Sequence, residues 1–142
     1  MILDTTYLLP LARINVDTDL LRAIADRKVS WKLEDVTVSM ISIFELQAKA
    51  AKLMVPTEFV VDAVKAIFGA FNVESFYRPE IIKVAYKVKK LIPDYVDCVI
   101  VATAIVLKED LATEDSQILS NRGVVEEEYG VSTLSYKELV RK

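Results

Sequence analysis

Pro93-Asp94-Tyr95-Val96-Asp97-Cys98-Val99-Ile100-Val101-Ala102-Thr103-Ala104-Ile105-Val106-Leu107 is the stretch on which the fold turns. Pro93-Asp94 breaks whatever precedes it. From Tyr95 to Leu107 the residues are apolar nearly all round, which predicts a buried helix rather than a surface one. Upstream, Ile81, Ile82, Val84, Ala85, Val88 and Leu91 recur at helical spacing, so Pro79–Leu91 is expected to be an amphipathic helix. Downstream, Leu111–Thr113 reads as a strand, Val131–Leu134 as another, and Ser135 as the cap of a last helix.

The N-terminal half alternates in the same way. Met1–Leu3 reads as a short buried strand and Thr5–Ala12 as a helix or a turn into one. Asp17-Thr18-Asp19 offers capping oxygens to a helix over Leu20–Lys28. Val36–Ile41 is a β-branched strand and Phe44–Leu53 a helix rich in good helix formers. Pro56-Thr57 opens a helix through Phe68 that Gly69 is expected to stop, and Asn72–Phe76 reads as a third strand. Such alternation implies an α/β fold, with helices on both faces of a parallel sheet. The chain carries no repeat, low-complexity segment or linker, so one domain over residues 1–142 is expected.

Four acids stand where apolar elements begin or end. Asp4 closes Met1-Ile2-Leu3, Glu45 interrupts Ser39–Leu46, Asp97 opens the buried helix, and Asp115 follows Leu111-Ala112-Thr113-Glu114. Open α/β sheets bind ligands at the carboxyl ends of their strands, and all four could face one crevice there. Two carboxylates about 4 Å apart repel by roughly 4 kcal/mol at an effective dielectric of 20. A converging set must protonate or share a cation. An all-oxygen set suits Mg²⁺ or Mn²⁺ over zinc or copper, and metal-assisted phosphodiester hydrolysis is the reaction it suits best. Capping or helix-end charge alone is the competing reading for each acid. For Asp94, capping is the leading reading and a place near a metal the other. Asp17 and Asp19 read as caps, Glu126-Glu127-Glu128 as a solvated run, and Cys98 as a small core residue.

Composition narrows the chemistry. There is no histidine among the 142 residues, which removes Ser-His-Asp and Cys-His schemes and His-containing zinc sites. One cysteine allows no intrachain disulfide. Three glycines, four prolines and 53% hydrophobic residues argue for a packed core rather than disorder. No apolar run approaches the ~20 residues of a membrane span, and Met1-Ile2-Leu3-Asp4 lacks the basic start of a signal peptide. A cytoplasmic protein is expected. The net charge of −3 lends no support to nucleic-acid binding, although local patches matter more than totals. Lys83, Lys87 and Lys90 share one face of the Pro79–Leu91 helix. That face is either simply solvated or a groove for a phosphate backbone. Tyr77 and Tyr86 either pack at the core edge or stack on bases.

In order and spacing, these motifs resemble the PIN-domain proteins. Ile2-Leu3-Asp4-Thr5-Thr6 is similar to their opening strand and acid, and Ser39–Leu46 to their second motif with Glu45 as its acid. Asp97-Cys98-Val99-Ile100-Val101-Ala102-Thr103-Ala104 resembles their third, and Leu111-Ala112-Thr113-Glu114-Asp115 their Thr-x-Asp strand end. Val101 stands where the family usually has Ala, and Glu114 where a basic or polar residue is frequent; its extra charge would oppose RNA approach. The size and layout look most like the VapC toxin-type branch. The resemblance implies a three-layer α/β/α sandwich around a mostly parallel sheet and a Mg²⁺- or Mn²⁺-dependent ribonuclease. It implies Asp4, Glu45, Asp97 and Asp115 as catalytic and metal-holding acids. Thr113, and Thr5 or Thr6, would bind substrate or order the site; the lysine face, if it is a groove, would carry the RNA backbone past Lys83, Lys87 and Lys90. It also implies a homodimer, for which the apolar helices near Leu46–Val64 offer a face, and an antitoxin partner. An RNA-processing or quality-control PIN nuclease, and an inactive PIN module that binds RNA or protein, are the rival readings.

Overall fold

In the computed structural model, residues 1–140 are described; Arg141 and Lys142, the end of the expected 1–142 unit, lie outside the described residues. Five short strands form one sheet: β1 (Ile2–Leu3), β2 (Thr37–Ser39), β3 (Asn72–Glu74), β4 (Leu111–Ala112) and β5 (Thr133–Leu134). Their order is β3-β2-β1-β4-β5, and each pairing is parallel. The register sets Ile2 beside Leu111 and Leu3 beside Ala112. Because alternate residues of a strand face opposite sides, β1 feeds two cores: Leu3 joins one and Ile2 the other.

On the Leu3 face pack the 3-10 helix Thr5–Ala12, α1 (Leu20–Ala25), α2 (Met40–Lys52) and α3 (Thr57–Ala70), whose Leu8, Leu20, Leu46 and Ile67 are fully buried. On the Ile2 face pack α4 (Pro79–Val88), α5 (Tyr95–Leu107), α6 (Ser116–Ser120) and α7 (Arg122–Tyr129), through Ile81, Ala85, Ile100, Ile118 and Val125. A last helix, α8 (Tyr136–Val140), sends Leu139 back to the first core. The result is a three-layer α/β/α fold. Burying a side chain such as Ile100 or Leu46 contributes about 1.5–3 kcal/mol.

The buried α5 has the bounds expected from its sequence. Asp94 caps it, its Oδ1 accepting from the N–H groups of Val96 (2.8 Å) and Asp97 (3.2 Å). Capping is therefore the geometry in which Asp94 is held. Several boundaries differ from expectation. α2 begins at Met40 rather than Phe44, because Ser39 caps it by accepting from the Ile41 N–H at 3.3 Å. α3 continues through Gly69 to Ala70; an exposed helical glycine costs only about 1 kcal/mol against alanine, too little to end a packed helix. α1 stops at Ala25, short of Lys28, and α4 at Val88, short of Leu91. Glu126-Glu127-Glu128, expected as a solvated run, belongs to α7 and is exposed there, while Val125 anchors that helix and Gly130 (φ 71°) ends it in the left-handed region.

Candidate functional site

The order in which strands are added reverses at β1: β2 and β3 lie on one side of it, β4 and β5 on the other, all parallel. Diverging connections leave a crevice at the strand carboxyl ends of such a switch point. Asp4 leaves β1 there, its N–H donating to the Ala112 carbonyl at 3.0 Å. Asp115 follows β4, Glu45 projects from α2 and Asp97 from the first turn of α5. These four acids line one crevice of about 210 Å³ together with Thr5, Thr6, Lys49 and Glu114.

Asp4 is the most firmly held. It is 6% exposed; its Oδ1 accepts from the Thr5 N–H at 2.7 Å and its Oδ2 from the Thr113 hydroxyl at 2.5 Å. Thr113 is fully buried, and its Oγ1 also accepts from the Asp115 N–H at 3.0 Å. Its hydroxyl thus bridges the Asp4 carboxylate and the Asp115 backbone. Thr5 works from the other side, donating its hydroxyl to Glu45 Oε1 at 2.5 Å. Asp115 caps α6 through the Ile118 N–H at 3.0 Å while lining the crevice, so capping and a place in the site are not alternatives.

The charges are uncomfortable where they stand. Burial pushes the Asp4 carboxyl up to about 6, against the opposing pull of the Thr113 and Thr5 hydrogen bonds, and Glu45 and Asp115 add repulsion. Asp97 is raised to about 7, by burial first and then by the charges of Asp115, Asp4, Asp94 and Glu45. Groups so shifted gain from any cation that enters. Among the described residues no three acidic or thiol side chains already outline a closed metal site. Mg²⁺ does not need one: it commonly takes one or two carboxylates directly and keeps several waters. The all-oxygen donor set and the size of the crevice fit such an ion.

One of the lining residues, Lys49, was not singled out in the sequence. Lys49 lies one helical turn beyond Glu45, at the i+4 position that shares its face, and that spacing was available as a signal. Thr6 follows Thr5 in the first motif. Glu114, expected to oppose RNA, is held by two neutral donors: its Oε2 accepts from the buried Tyr7 hydroxyl and from the Tyr136 N–H at 2.7 Å. Burial and this carboxylate raise the Tyr7 phenol far above its ordinary value, so it stays a donor. Lys83, Lys87 and Lys90 are exposed on and just beyond α4 and do not line the crevice. A larger groove of about 580 Å³ opens by Arg27, Trp31 and Lys32, between the end of α1 and β2, but contains only one acid, Glu34.

Residues 1–124 match the sequence profile of the PIN domain. No curated protein matches the chain significantly. Among solved structures, a toxin–antitoxin complex from Klebsiella pneumoniae contains a similar chain, 18% identical, with 82% of this chain and 88% of that one aligned at a TM-score of 0.62. FitAcB from Neisseria gonorrhoeae is 18% identical, with 97% and 99% aligned at a TM-score of 0.63. FitAB bound to an IR36 DNA fragment is 16% identical, with 95% and 94% aligned at 0.62. At such identities the likeness is one of fold.

Proposed function

The chain belongs to the PIN domain family, and on that premise we propose that it is a divalent-metal-dependent endoribonuclease acting as the toxin of a toxin–antitoxin pair. PIN domains are generally metal-dependent nucleases. The observation that carries the reading is the meeting of Asp4, Glu45, Asp97 and Asp115, from four separate segments, in one crevice at the sheet's switch point. The likeness to toxin–antitoxin structures favours the toxin reading over an RNA-processing role.

Asp4, Glu45, Asp97 and Asp115 would hold Mg²⁺ or Mn²⁺. A bound ion of this kind supplies a Lewis acid that offsets phosphate charge and acidifies a water. The chain's own part is to aim and hold. Thr113 and Thr5 fix Asp4, and Thr5 also fixes Glu45, so two acids share one rigid orientation. Asp97, raised toward neutrality by burial and by its acidic neighbours in the crevice, would be ionised by the cation it helps to hold and would then orient the attacking water. Hydrolysis joins that oxygen to phosphorus and breaks the bond to the leaving alkoxide, which takes up a proton. Lys49 supplies positive charge at the mouth of an otherwise acidic crevice, where a phosphate must enter.

Phe44, Leu53, Met54, Val61 and Phe68 are exposed on and around α2 and α3, an apolar surface that supports the homodimer reading. Sedimentation of the purified chain tests it; a monomer at all concentrations removes it. No helix among the described residues is long and apolar enough to cross a membrane, in keeping with cytoplasmic action.

The test of function is cleavage of labelled RNA with Mg²⁺ or Mn²⁺ against chelator, for wild type, Asp4→Asn and Asp97→Asn. Each variant is expected to lose cleavage while keeping its circular dichroism. Full activity of Asp4→Asn in metal-defined buffer overturns the assignment. A wild type that binds RNA but never cuts it favours the inactive-module reading. Growth arrest on expression, relieved by co-expressed antitoxin, separates toxin from processing enzyme.

A further inference from the structure

Tyr86, for which the sequence left core-edge packing and base stacking open, is 69% exposed, and Tyr95, at the start of the helix expected to be buried, is 41% exposed. Tyr86 comes from α4 and Tyr95 from the first turn of α5, and the rings meet edge to face, with centroids 5.8 Å apart and planes at 85°. With Lys89 they line an open groove of about 320 Å³. Packing needs would bury such rings; here the contact between them leaves most of Tyr86 in solvent. Beside it runs a row of cations. Lys83, Lys87 and Lys90 follow at helical spacing, one position round from Ile82, Tyr86 and Lys89. Lys89 donates to the Pro93 carbonyl and so closes the turn between the two helices. Between Arg78 and Tyr95 the sequence carries five cationic side chains (Arg78, Lys83, Lys87, Lys89, Lys90) against Glu80 and Asp94, in a chain whose net charge is −3.

Tyr95 precedes Asp97 by two residues, about 200° round the helix. The groove therefore flanks the same helix end as the acidic crevice, roughly one helix diameter (about 10 Å) away. Aromatic faces take any base, while a neighbouring row of cations neutralises the connecting phosphates. We propose that Tyr86 and Tyr95 form a stacking platform for an unpaired base of single-stranded RNA, with Lys83, Lys87 and Lys90 along its backbone. The platform seats a nucleotide near the phosphodiester that enters the crevice. This rests on the ribonuclease reading and adds to it a base-binding surface outside the acidic crevice.

The test is binding rather than cleavage. Fluorescein-labelled single-stranded oligoribonucleotide is titrated in chelator and followed by anisotropy. Tyr86→Ala and Tyr95→Ala are each expected to weaken binding by about tenfold, Tyr86→Phe by little, since the ring and not the hydroxyl stacks. Lys87→Ala should lower the slope of log affinity against log salt by about 0.7, the single-strand value for one phosphate contact. An oligonucleotide of the same length with abasic positions should bind wild type more weakly and be indifferent to Tyr86→Ala. Both alanine variants melting like wild type but binding the intact RNA unchanged overturns the platform, as does equal affinity for a blunt duplex. A groove that serves a protein partner gives that same negative result. Loss of binding by the tyrosine variants in a protein that never cuts RNA would keep the platform and remove the nuclease; cleavage with tyrosine-independent binding would do the reverse.

Discussion

Replacing Asp4 with asparagine is expected to stabilise the protein above neutral pH when divalent metal is chelated. Burial holds the Asp4 carboxyl at about 6, against 3.8 for an unperturbed group. A carboxyl raised on folding contributes stability at low pH and loses it as pH climbs. Below 3.8 it is protonated in both states and carries no penalty. Between 3.8 and 6 the unfolded chain ionises while the folded protein resists, and above 6 the folded state bears the whole cost. That interval corresponds to roughly 3 kcal/mol at about 1.4 kcal/mol per pH unit. Asparagine keeps the shape but offers one acceptor oxygen to two donors, the Thr5 N–H and the Thr113 hydroxyl. One hydrogen bond of about 1 kcal/mol is therefore lost. The net gain is about 2 kcal/mol, or roughly 4–8 °C in melting temperature for a chain of this length. Thermal melts in EDTA at pH 8 and at pH 4 provide the assay. Asp4→Asn should melt above wild type at the higher pH and no higher than it at the lower. A variant less stable than wild type at pH 8 would refute the claim that the ionised carboxylate strains the folded state.

Saturating Mg²⁺ or Mn²⁺ should raise the melting temperature of wild type, by about 2.7 kcal/mol at a hundredfold excess over the dissociation constant, and should do much less for Asp4→Asn; no shift in wild type at saturation contradicts the metal reading. Thr113→Val removes the donor to Asp4 and the acceptor for the Asp115 N–H. It should cost about 2–4 kcal/mol and weaken metal stabilisation, as urea melts with and without Mn²⁺ would record; a neutral substitution would mean that the bridge orders nothing.

What could be read from the sequence follows the kind of signal involved. α5 was legible to the residue because a breaker, a cap and an unbroken apolar run coincide at Pro93-Asp94 and beyond. The passage from β2 into α2 was not: Val38 to Ile43 is apolar but for Ser39 and Ser42, and periodicity cannot say where in such a run a strand becomes a helix. α7 was hidden because Val125 alone is buried along it, leaving almost no hydrophobic stripe, although the Gly130 stop was there to be read. The acids Asp4, Glu45, Asp97 and Asp115 were visible as isolated charges in apolar surroundings. The Thr113 bridge was not, since it depends on the register of β1 against β4, and nothing local in either strand specifies that pairing. Lys83 and Lys87 lie on α4 and Lys90 just beyond its end, and only the packing of α4 against α5 shows that they lie outside the crevice.

The position of β1 has a consequence for how the protein comes into being. It is an early strand of the chain and the middle strand of the sheet, bordered by β2 on one side and on the other by β4, more than a hundred residues later. A chain still emerging from the ribosome can dock β1 with β2 and β3, but it leaves the other edge of Ile2–Leu3 without its ladder until Leu111–Ala112 has been made. Loop closure over so long a separation is slow. Asp4 gains its Thr113 contact, and Asp115 its neighbours, only at that closing event. The acidic crevice is thus among the last features to be assembled, and nascent or truncated chains ending before β4 lack it altogether.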